Sequence, residues 1–392
     1  MSKLNKEQTL EAYQMFMAGR RIPDIAKKLK VSAAEVSSAV SEHKLLLDQN
    51  QRLQADLSRE RDKTGLLIDA LTTAMEKYRI APVKVPKPEG KHRTKDDQDF
   101  FALFSDSQIG SLVDPDAVQG LSAYNFSIFK RRLDNWVATI IKFREQDKKA
   151  LGLNKLVIKF LGDIVEGEMI YRGQAFYIDI SLFDQVFEGS VLVADALRKL
   201  AAIFPHVECY GICGNHGRPG RKGDHHAKTN FDRFFYAFLS MALKDQPNVK
   251  FFTSDGPIMM VRHHQHRVAM IHGHEAKSWA GIPYYGLDRV ERRLQGLFAG
   301  FKINLLLCGD KHDPAILHES IIMNGSFVGG SNFSINTLLL NSVPSQRIFY
   351  LDPNWGAHRH TSLWLDSPPK VEEDENRIFT PYTELGRHGN KA

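Results

Sequence analysis

The sequence predicts an α/β domain preceded by an all-helical front end, and three observations carry that expectation. From Phe100 onward, short apolar runs alternate with helical stretches: FFALFSD, KLVIKFLGD, VECYGICGN, RVAMIHGH and INLLLCGD. Each run closes on Asp, Asn, His and Gly, which is where open α/β sheets carry their sites. Residues 5–78 show only helical spacing, and a stretch rich in Pro and Lys separates the two textures. With 392 residues and 43% apolar content, two or three units are expected rather than one small core.

Residues 1–43 read as three short helices. In LNKEQTLEAYQMFMAG the residues Leu10, Tyr13, Phe16 and Met17 fall at three-to-four spacing, and Gly19 is a stop signal. RIPDIAKKLKV places Ile22, Ile25, Ala26 and Leu29 on one face. SAAEVSSAV opens with Ser32 as N-cap and Glu35 three residues on, a capping box. This helix, short turn, helix pattern resembles the helix-turn-helix family of DNA-binding domains. That resemblance implies that the helix from Ser32 enters the major groove. It would expose Ser32, Ala33, Ser37 and Ser38 to DNA, with Lys27, Lys28 and Lys30 reaching phosphates. A small protein-binding three-helix unit is the alternative.

From Glu42 to Tyr78 there is no proline, and Leu46, Leu53, Leu57, Leu67 and Leu71 follow one alternating three/four seam. Asn50 and Thr64 occupy core positions of the seam and Glu60 breaks it. A polar core Asn favours a fixed register in coiled coils, so residues 44–80 are expected to self-associate, giving a dimer or higher even assembly. A long helix packed on its own catalytic domain is the competing reading. Residues 81–98, from APVKVPKPEG onward, read as an extended basic linker. The α/β domain is expected over 99–366, turning more β-like from Ile316, with a polar tail over 367–392.

Composition narrows the classes. Of a net charge of +6, a surplus of five sits in the first 97 residues, which hold 19 Lys/Arg against 14 Asp/Glu. A basic front end on a near-neutral body points to a polyanionic partner, although a merely soluble surface would look the same by charge alone. No run reaches the roughly 18 apolar residues of a membrane span, and MSKLNKEQTLEAY lacks the layout of a secretory signal. The three cysteines lie inside apolar runs, which suggests buried thiols in a reducing compartment. The expected location is the cytoplasm, or the host's if the chain is virus-borne.

The chemistry lies in five strand ends: Asp106-Ser107-Gln108, Gly162-Asp163-Ile164-Val165-Glu166-Gly167, Gly214-Asn215-His216, His272-Gly273-His274 and Gly309-Asp310-Lys311-His312. A lone Asp after a strand is usually a helix cap and a lone His usually structural. Five ends bearing carboxylates and imidazoles on one sheet edge would repel and desolvate one another unless cations sit there. Mixed oxygen and imidazole donors suit Mn, Fe, Zn or Mg rather than a thiolate site.

In this order the motifs resemble the calcineurin-like metallophosphoesterase superfamily. Its pattern is Asp-x-His, Gly-Asp-x-x-Asp-x-Gly, Gly-Asn-His-Asp/Glu, a His, then Gly-His-x-His. The resemblance covers residues 100–365 and implies a four-layer sandwich around two central mixed sheets. It further implies two divalent ions, with Asp106 and His312 on the first, Asn215 and His272 on the second, and Asp163 bridging. His216 would face the scissile phosphate as the catalytic side chain. Two cations about 3.5–4 Å apart lower the pKa of a bridging water and clamp phosphate oxygens for in-line attack.

Four departures matter. Gln108 stands where the family has His, and its amide oxygen remains a weak potential ligand. Glu166 replaces an Asp that orients the catalytic His, a task a longer arm can also perform. Gly217 replaces an acid. Asp310 replaces the first His of the last motif. Losing two nitrogens and gaining oxygens tilts the expected metal toward Mn²⁺, with Mg²⁺ possible. His274 is expected beside the site rather than on a metal.

After His216, the run GRPGRKGDHH puts Arg218, Arg221 and Lys222 on a glycine-spaced basic loop. Such a loop would attract a phosphodiester backbone, though an ordinary solvated loop is the plain alternative. His263, His264 and His266 read as a hairpin tip without a role. Together these features predict a two-metal nucleic-acid phosphodiesterase, a DNA nuclease closest to the double-strand-break repair branch of the superfamily and its phage-borne relatives. The alternatives are a phosphatase acting on a phosphoprotein or small ester, and a DNA-binding scaffold with a relic site.

Overall fold

The computed structural model describes residues 4–49, 96–226, 228–278 and 282–367. The chain divides into two compact units, residues 1–82 and 83–392.

In the first unit, α1 (Lys6–Met17), α2 (Ile22–Leu29) and α3 (residues 33–49) enclose a small core of Ala12, Met15, Ile25, Ala26, Val36 and Val40. The expected α2 face holds. The expected α1 face holds only at Tyr13, which packs against this core; Leu10, Phe16 and Met17 are exposed, and the buried stripe runs through Ala12 and Met15. The small Ala12 suits the close side of the bundle, where a Phe would hold the helices apart. Lys30 ends α2 in the left-handed region at φ 57°. The Ser32–Glu35 capping box forms as expected: the Ser32 amide donates to Glu35 Oε2 at 2.9 Å, and the Glu35 amide donates to Ser32 Oγ at 3.2 Å. The seam from Asn50 to Leu71, most of the linker and the tail from residue 368 lie outside the described residues. Leu46, at the start of the seam, is exposed.

The second unit begins earlier than the expected residue 99. Asp97 and Gln98 are buried, with the Gln98 amide donating to the Leu151 carbonyl at 3.1 Å and Asn154 Nδ2 donating to Asp97 Oδ2 at 2.7 Å. Six strands form one sheet in the order β11-β10-β1-β2-β3-β4. They are β1 (Asp99–Phe104), β2 (Lys155–Phe160), β3 (His206–Gly211), β4 (Val249–Thr253), β10 (Ser345–Asp352) and β11 (Gly356–Trp364). The first four run parallel, and β10 and β11 add antiparallel. The second sheet has the order β5-β6-β7-β9-β8, from β5 (Ile258–His263), β6 (His266–Ile271), β7 (Leu305–Cys308), β8 (Ala315–Leu317) and β9 (Ile321–Met323).

The two sheets pack face to face. Phe101, Leu103, Val157 and Tyr210 of the first meet Val268, Met270, Leu307 and Ile322 of the second in one core. The alternate residues of β1 and β2 face helices instead: Phe104 packs edge-on against Trp136 of α4 (Phe126–Leu151), and Phe160 against Tyr236 of α6 (Phe231–Ala242). β1 is buried along its whole length, so its sequence is apolar without alternation. Helix α5 (Leu182–Ala201) packs between α4 and α6, and α7 (Tyr284–Leu297) covers the outer face of the second sheet with Leu287 and Leu294. A short helix, α8 (Asn332–Leu338), follows β9. The expected hairpin tip is present: β5 and β6 pair from Ile258↔Ile271 to His263↔His266, around a turn at His264 and Gln265. Cys209 and Cys308 are buried and Cys213 partly so, all three as free thiols. No helix among the described residues is long and apolar enough to cross a membrane.

Candidate metal centre

Parallel neighbours bring their C-terminal ends to one edge, so the loops after β1, β2 and β3 lie side by side, and those after β6 and β7 face them from the second sheet. Backbone hydrogen bonds join these loops. The Asp106 amide donates to the Gly162 carbonyl at 3.1 Å and the Gln108 amide to the Asp163 carbonyl at 3.0 Å. The Gly309 amide donates to the His272 carbonyl at 2.7 Å, and the Asp310 amide lies 3.1 Å from both oxygens of Asp106, across the two sheets. Gly162, at φ 91°, sits against the Gly214 backbone, and any side chain there would collide with it.

Five site residues themselves hold positive φ: Asp106 (52°), Gln108 (38°), Asp163 (52°), Asp310 (67°) and His312 (59°). Each such conformation costs a non-glycine residue free energy, and surrounding structure must hold it. That concentration is a mark of a site where side-chain direction outranks local backbone preference.

The result is one buried cluster. Ligand atoms of Asp106, Asp163 and His272 all lie within 4.8 Å of one another. His272 Nε2 is 3.0 Å from Asp163 Oδ2 and 3.5 Å from Asp310 Oδ1, and His312 Nε2 is 3.4 Å from Asp106 Oδ1. Thus Asp310 faces His272, while His312 faces Asp106. Asn215 lies one residue before His216, whose amide donates to Asp163 Oδ1 at 2.7 Å.

Two atoms test whether this donor set suits a cation. His272 Nδ1 is 2.7 Å from the Leu161 carbonyl, which places the proton on that nitrogen and turns the bare Nε2 toward Asp163. Nε2 has no hydrogen-bond partner. Asn215 Oδ1 is likewise buried without a partner. A proton on His272 relieves the first atom, since Asp163 and Asp310 raise its pKa well above the ordinary value against the opposing effect of burial. No proton relieves a neutral amide oxygen, whereas a divalent cation satisfies both atoms. The donor set fits a metal.

His216 sits beside the cluster, its side chain 20% exposed. Its Nδ1 is 3.1 Å from Glu166 Oε2 and 3.2 Å from the Glu166 carbonyl, and its Nε2 lies 3.4 Å from Gln108 Nε2 and 3.9 Å from Asp163 Oδ2. Burial alone would lower its pKa, but the Glu166 and Asp163 carboxylates raise it to about 10. Glu166 is itself held by Gln174, whose Nε2 donates to Oε1 at 2.9 Å. His274 packs beside His272 at 5.5 Å between ring centroids, and burial lowers its pKa.

The cluster lies at the foot of a cleft of about 820 Å³, whose walls include Gln108, Glu166, His216, Lys311 and His312. The basic loop is divided. Arg218 turns back, its Nε donating to the Asn215 carbonyl at 2.8 Å. Arg221 and Lys222 are exposed, and Arg221 lines a separate side pocket of about 410 Å³. In the first unit Lys27, Lys28, Lys30, Ser32, Ser37 and Ser38 are all exposed. Lys28 is engaged, with Nζ 3.0 Å from Glu11 Oε1.

No protein-family model matches the chain, and no curated protein does. Solved structures similar to it include vacuolar protein sorting 29 from Cryptosporidium parvum, at 15% identity and a TM-score of 0.29 over 66% of this chain and 88% of that one. Zinc-complexed Vps29 from Entamoeba histolytica matches at 11% identity and a TM-score of 0.25, over 67% of this chain and 99% of that one. A dimetal phosphatase from Danio rerio matches at 11% and 0.29, over 69% and 100%. Values this low say nothing about the reaction, which has to be read from the side chains.

Two residues of the site receive no role from the motifs. Asp232, fully buried at the start of α6, accepts from the amides of Asp163 (3.1 Å), Ile164 (3.0 Å), Val165 (3.3 Å) and Gly214 (2.8 Å). One carboxylate therefore ties the loop bearing Asp163 to the loop bearing Asn215 and His216. Burial and the neighbouring Asp163 raise its pKa to about 6. In sequence, NFDRFF shows only an Asp in the first turn of a helix. The second is Lys311, whose Nζ lies 2.7 Å from Asp310 Oδ2 on the cleft wall. Its signal was present, as a lone cation inside the run Gly309-Asp310-Lys311-His312.

Proposed function

We propose that the second unit is a metallophosphoesterase of the calcineurin-like kind, a layered sandwich that hydrolyses phosphodiester bonds of DNA with two divalent ions. The observation that supports this most directly is the convergence of Asp106, Asp163, Asn215, His272, Asp310 and His312, with the buried oxygen of Asn215 left without a partner. Asp106 and His312 would hold one ion, Asn215 and His272 with Asp310 the other, and Asp163 both. Such ions, when bound, supply a water of lowered pKa and a clamp on the phosphate oxygens. The oxygen-rich set favours Mn²⁺ or Mg²⁺ over Zn²⁺.

The remaining work falls to side chains. Glu166 fixes the His216 ring through Nδ1, leaving Nε2 directed to the cleft. The Glu166 and Asp163 carboxylates raise the pKa of the imidazole, which favours the protonated form able to donate to the oxygen of the departing strand. Positioned acids of this kind contribute about 10²–10⁴-fold. The exposed Lys27 and Lys30 and the basic front end support a role for the first unit in holding DNA, and the leucine spacing of the sequence from Leu46 to Leu71 supports an even assembly. A phosphatase would use the same ions and the same His216, so substrate decides between the two.

The test is incubation of the full chain with single- and double-stranded DNA and Mn²⁺, beside Asp163→Asn and His216→Ala. Expected are cleavage that stops on chelation, loss of Mn²⁺ uptake by calorimetry in Asp163→Asn, and uptake without turnover in His216→Ala. Hydrolysis of a phosphate monoester but of no diester would favour the phosphatase. Cleavage surviving both substitutions would show the site misassigned.

A further inference from the structure

We infer that the cleft is built for unpaired bases, so that its substrate is single-stranded DNA or a frayed end; this rests on the phosphodiesterase reading above. The cluster of carboxylates and imidazoles forms only the floor. Two apolar walls rise beside it. One carries Tyr171 and Tyr177, 44% and 43% exposed; the other carries Phe333, 65% exposed, with Leu338 and Leu340. Large apolar side chains left in water at the mouth of one cleft mark a surface meant to be covered.

Both walls are held in place, which separates them from a merely loose surface. On the first, Gln174 is fully buried and accepts from the Ile170 amide at 2.9 Å, while donating to Glu166. The Leu112 amide donates to the Tyr177 carbonyl at 2.9 Å. On the second, α8 starts in a capping box formed by Ser331 and Ser334, and Asn336 and Asn341 donate to the carbonyls of Ala117 and Leu121 at 3.2 and 3.0 Å. The rings are thus presented on tethered backbone.

The chemistry of the occupant follows from this layout. It must place a phosphate on the floor and flat or apolar groups against both walls, and it must be long enough to reach them from one phosphate. A phosphate monoester needs no such walls. A duplex turns its sugars and phosphates outward and keeps its bases stacked inside, so the rings would meet nothing. An unpaired strand offers a π face on each side of the scissile phosphate, the arrangement by which aromatic platforms hold single strands without reading sequence. Tyr171 also forms a wall of the side pocket containing Arg221, which gives the strand a cation for its next phosphate.

The test uses the full chain and a single strand carrying 2-aminopurine on either side of the cut. In the His216→Ala protein with Mn²⁺, stacking is expected to quench the probe, and Tyr171→Leu or Phe333→Leu to abolish the quench with the circular dichroism unchanged. Tyr171→Phe, which keeps the ring, retains it. In the otherwise unaltered enzyme Phe333→Leu raises KM for the strand about ten-fold or more, leaves kcat near its original value, and leaves a strand with abasic flanks unaffected. Absence of the quench overturns the inference whether or not the strand is cut. So does equal cleavage of duplex and single strand, or preference for RNA. If diesters are cut while the bases go unread, this inference alone fails; if no diester is cut and Asp163→Asn changes nothing, the underlying reading fails too.

Discussion

Asp232 shows how much of a site can hang on a side chain that touches no substrate. Its two oxygens take four amides from two loops, and those loops carry Asp163, Asn215 and His216. Asp232→Asn replaces one oxygen by a donor aimed at donors, so at least one amide loses its partner in a fully buried place, where an unmet polar group costs about 1–3 kcal/mol. Because the loops then drift, Mn²⁺ affinity should fall about 10–100-fold, the range for residues that orient metal ligands. Calorimetric titration beside a thermal melt checks this. Unchanged Mn²⁺ affinity in a less stable protein would assign Asp232 to stability alone.

Among the elements, α4 is tied to the far end of the second unit by one buried cation. Arg132 Nε lies 3.0 Å from Asp366 Oδ2, its Nη1 donates to the Val328 carbonyl at 3.0 Å, and Arg131 reaches Asp366 Oδ1 at 2.9 Å. Burial alone would raise the Asp366 pKa, but the hydrogen bonds and charges of Arg132 and Arg131 outweigh it and hold the carboxyl below the usual range. A carboxyl with a depressed folded pKa stabilises the fold above its unfolded value near 3.9, and that contribution disappears as pH falls through the folded value. Asp366→Asn should therefore unfold at lower denaturant than the unaltered protein at pH 7. The gap should close progressively below about pH 4; a gap independent of pH would place the effect in packing rather than charge.

The same elements show which signals the sequence carries. β1, β2, β3, β6 and β7 are legible because strands largely buried on both faces leave mostly apolar runs, and a polar edge leaves Asp, Asn, His and Gly at their ends. β4 and β8 are not, since one is largely exposed and the other three residues long. α8 shows no apolar stripe: its large side chains Phe333 and Leu338 face the cleft mouth and solvent, and only Ile335 is buried. The α1 face misled because spacing alone selects the large residues, while the fold buries Ala12. In the site, motif order indicated the ligand-bearing ends, whereas the five positive φ angles and the role of Asp232 arise only from tertiary contact. The division of the basic loop belongs to the same class, because which arginine turns back onto the Asn215 carbonyl depends on the folded loop.

At the scale of the molecule, the chain has two units with separate cores. The first has a capped helix with Ser37 and Ser38 exposed and Lys27 and Lys30 beside it; the second has the donor cluster. If the first unit grips phosphates, its contribution is electrostatic and falls with salt by roughly 0.9 in log–log slope for each phosphate neutralised. Lys27→Ala with Lys30→Ala, made in the full chain, should then weaken duplex binding and reduce the salt slope by about two. Lys28 is the internal control: because it already pairs with Glu11, Lys28→Ala should change the slope less than either neighbour. Hydrolysis of bis-nitrophenyl phosphate, which on this reading needs only the second unit, should be untouched in both variants. Anisotropy titrations from 50 to 200 mM salt on about the scale used for such slopes, run beside that assay, separate delivery from chemistry. Loss of small-diester hydrolysis in the lysine variants would mean that the two units do not work independently, and an unchanged slope would remove these lysines from the DNA contact.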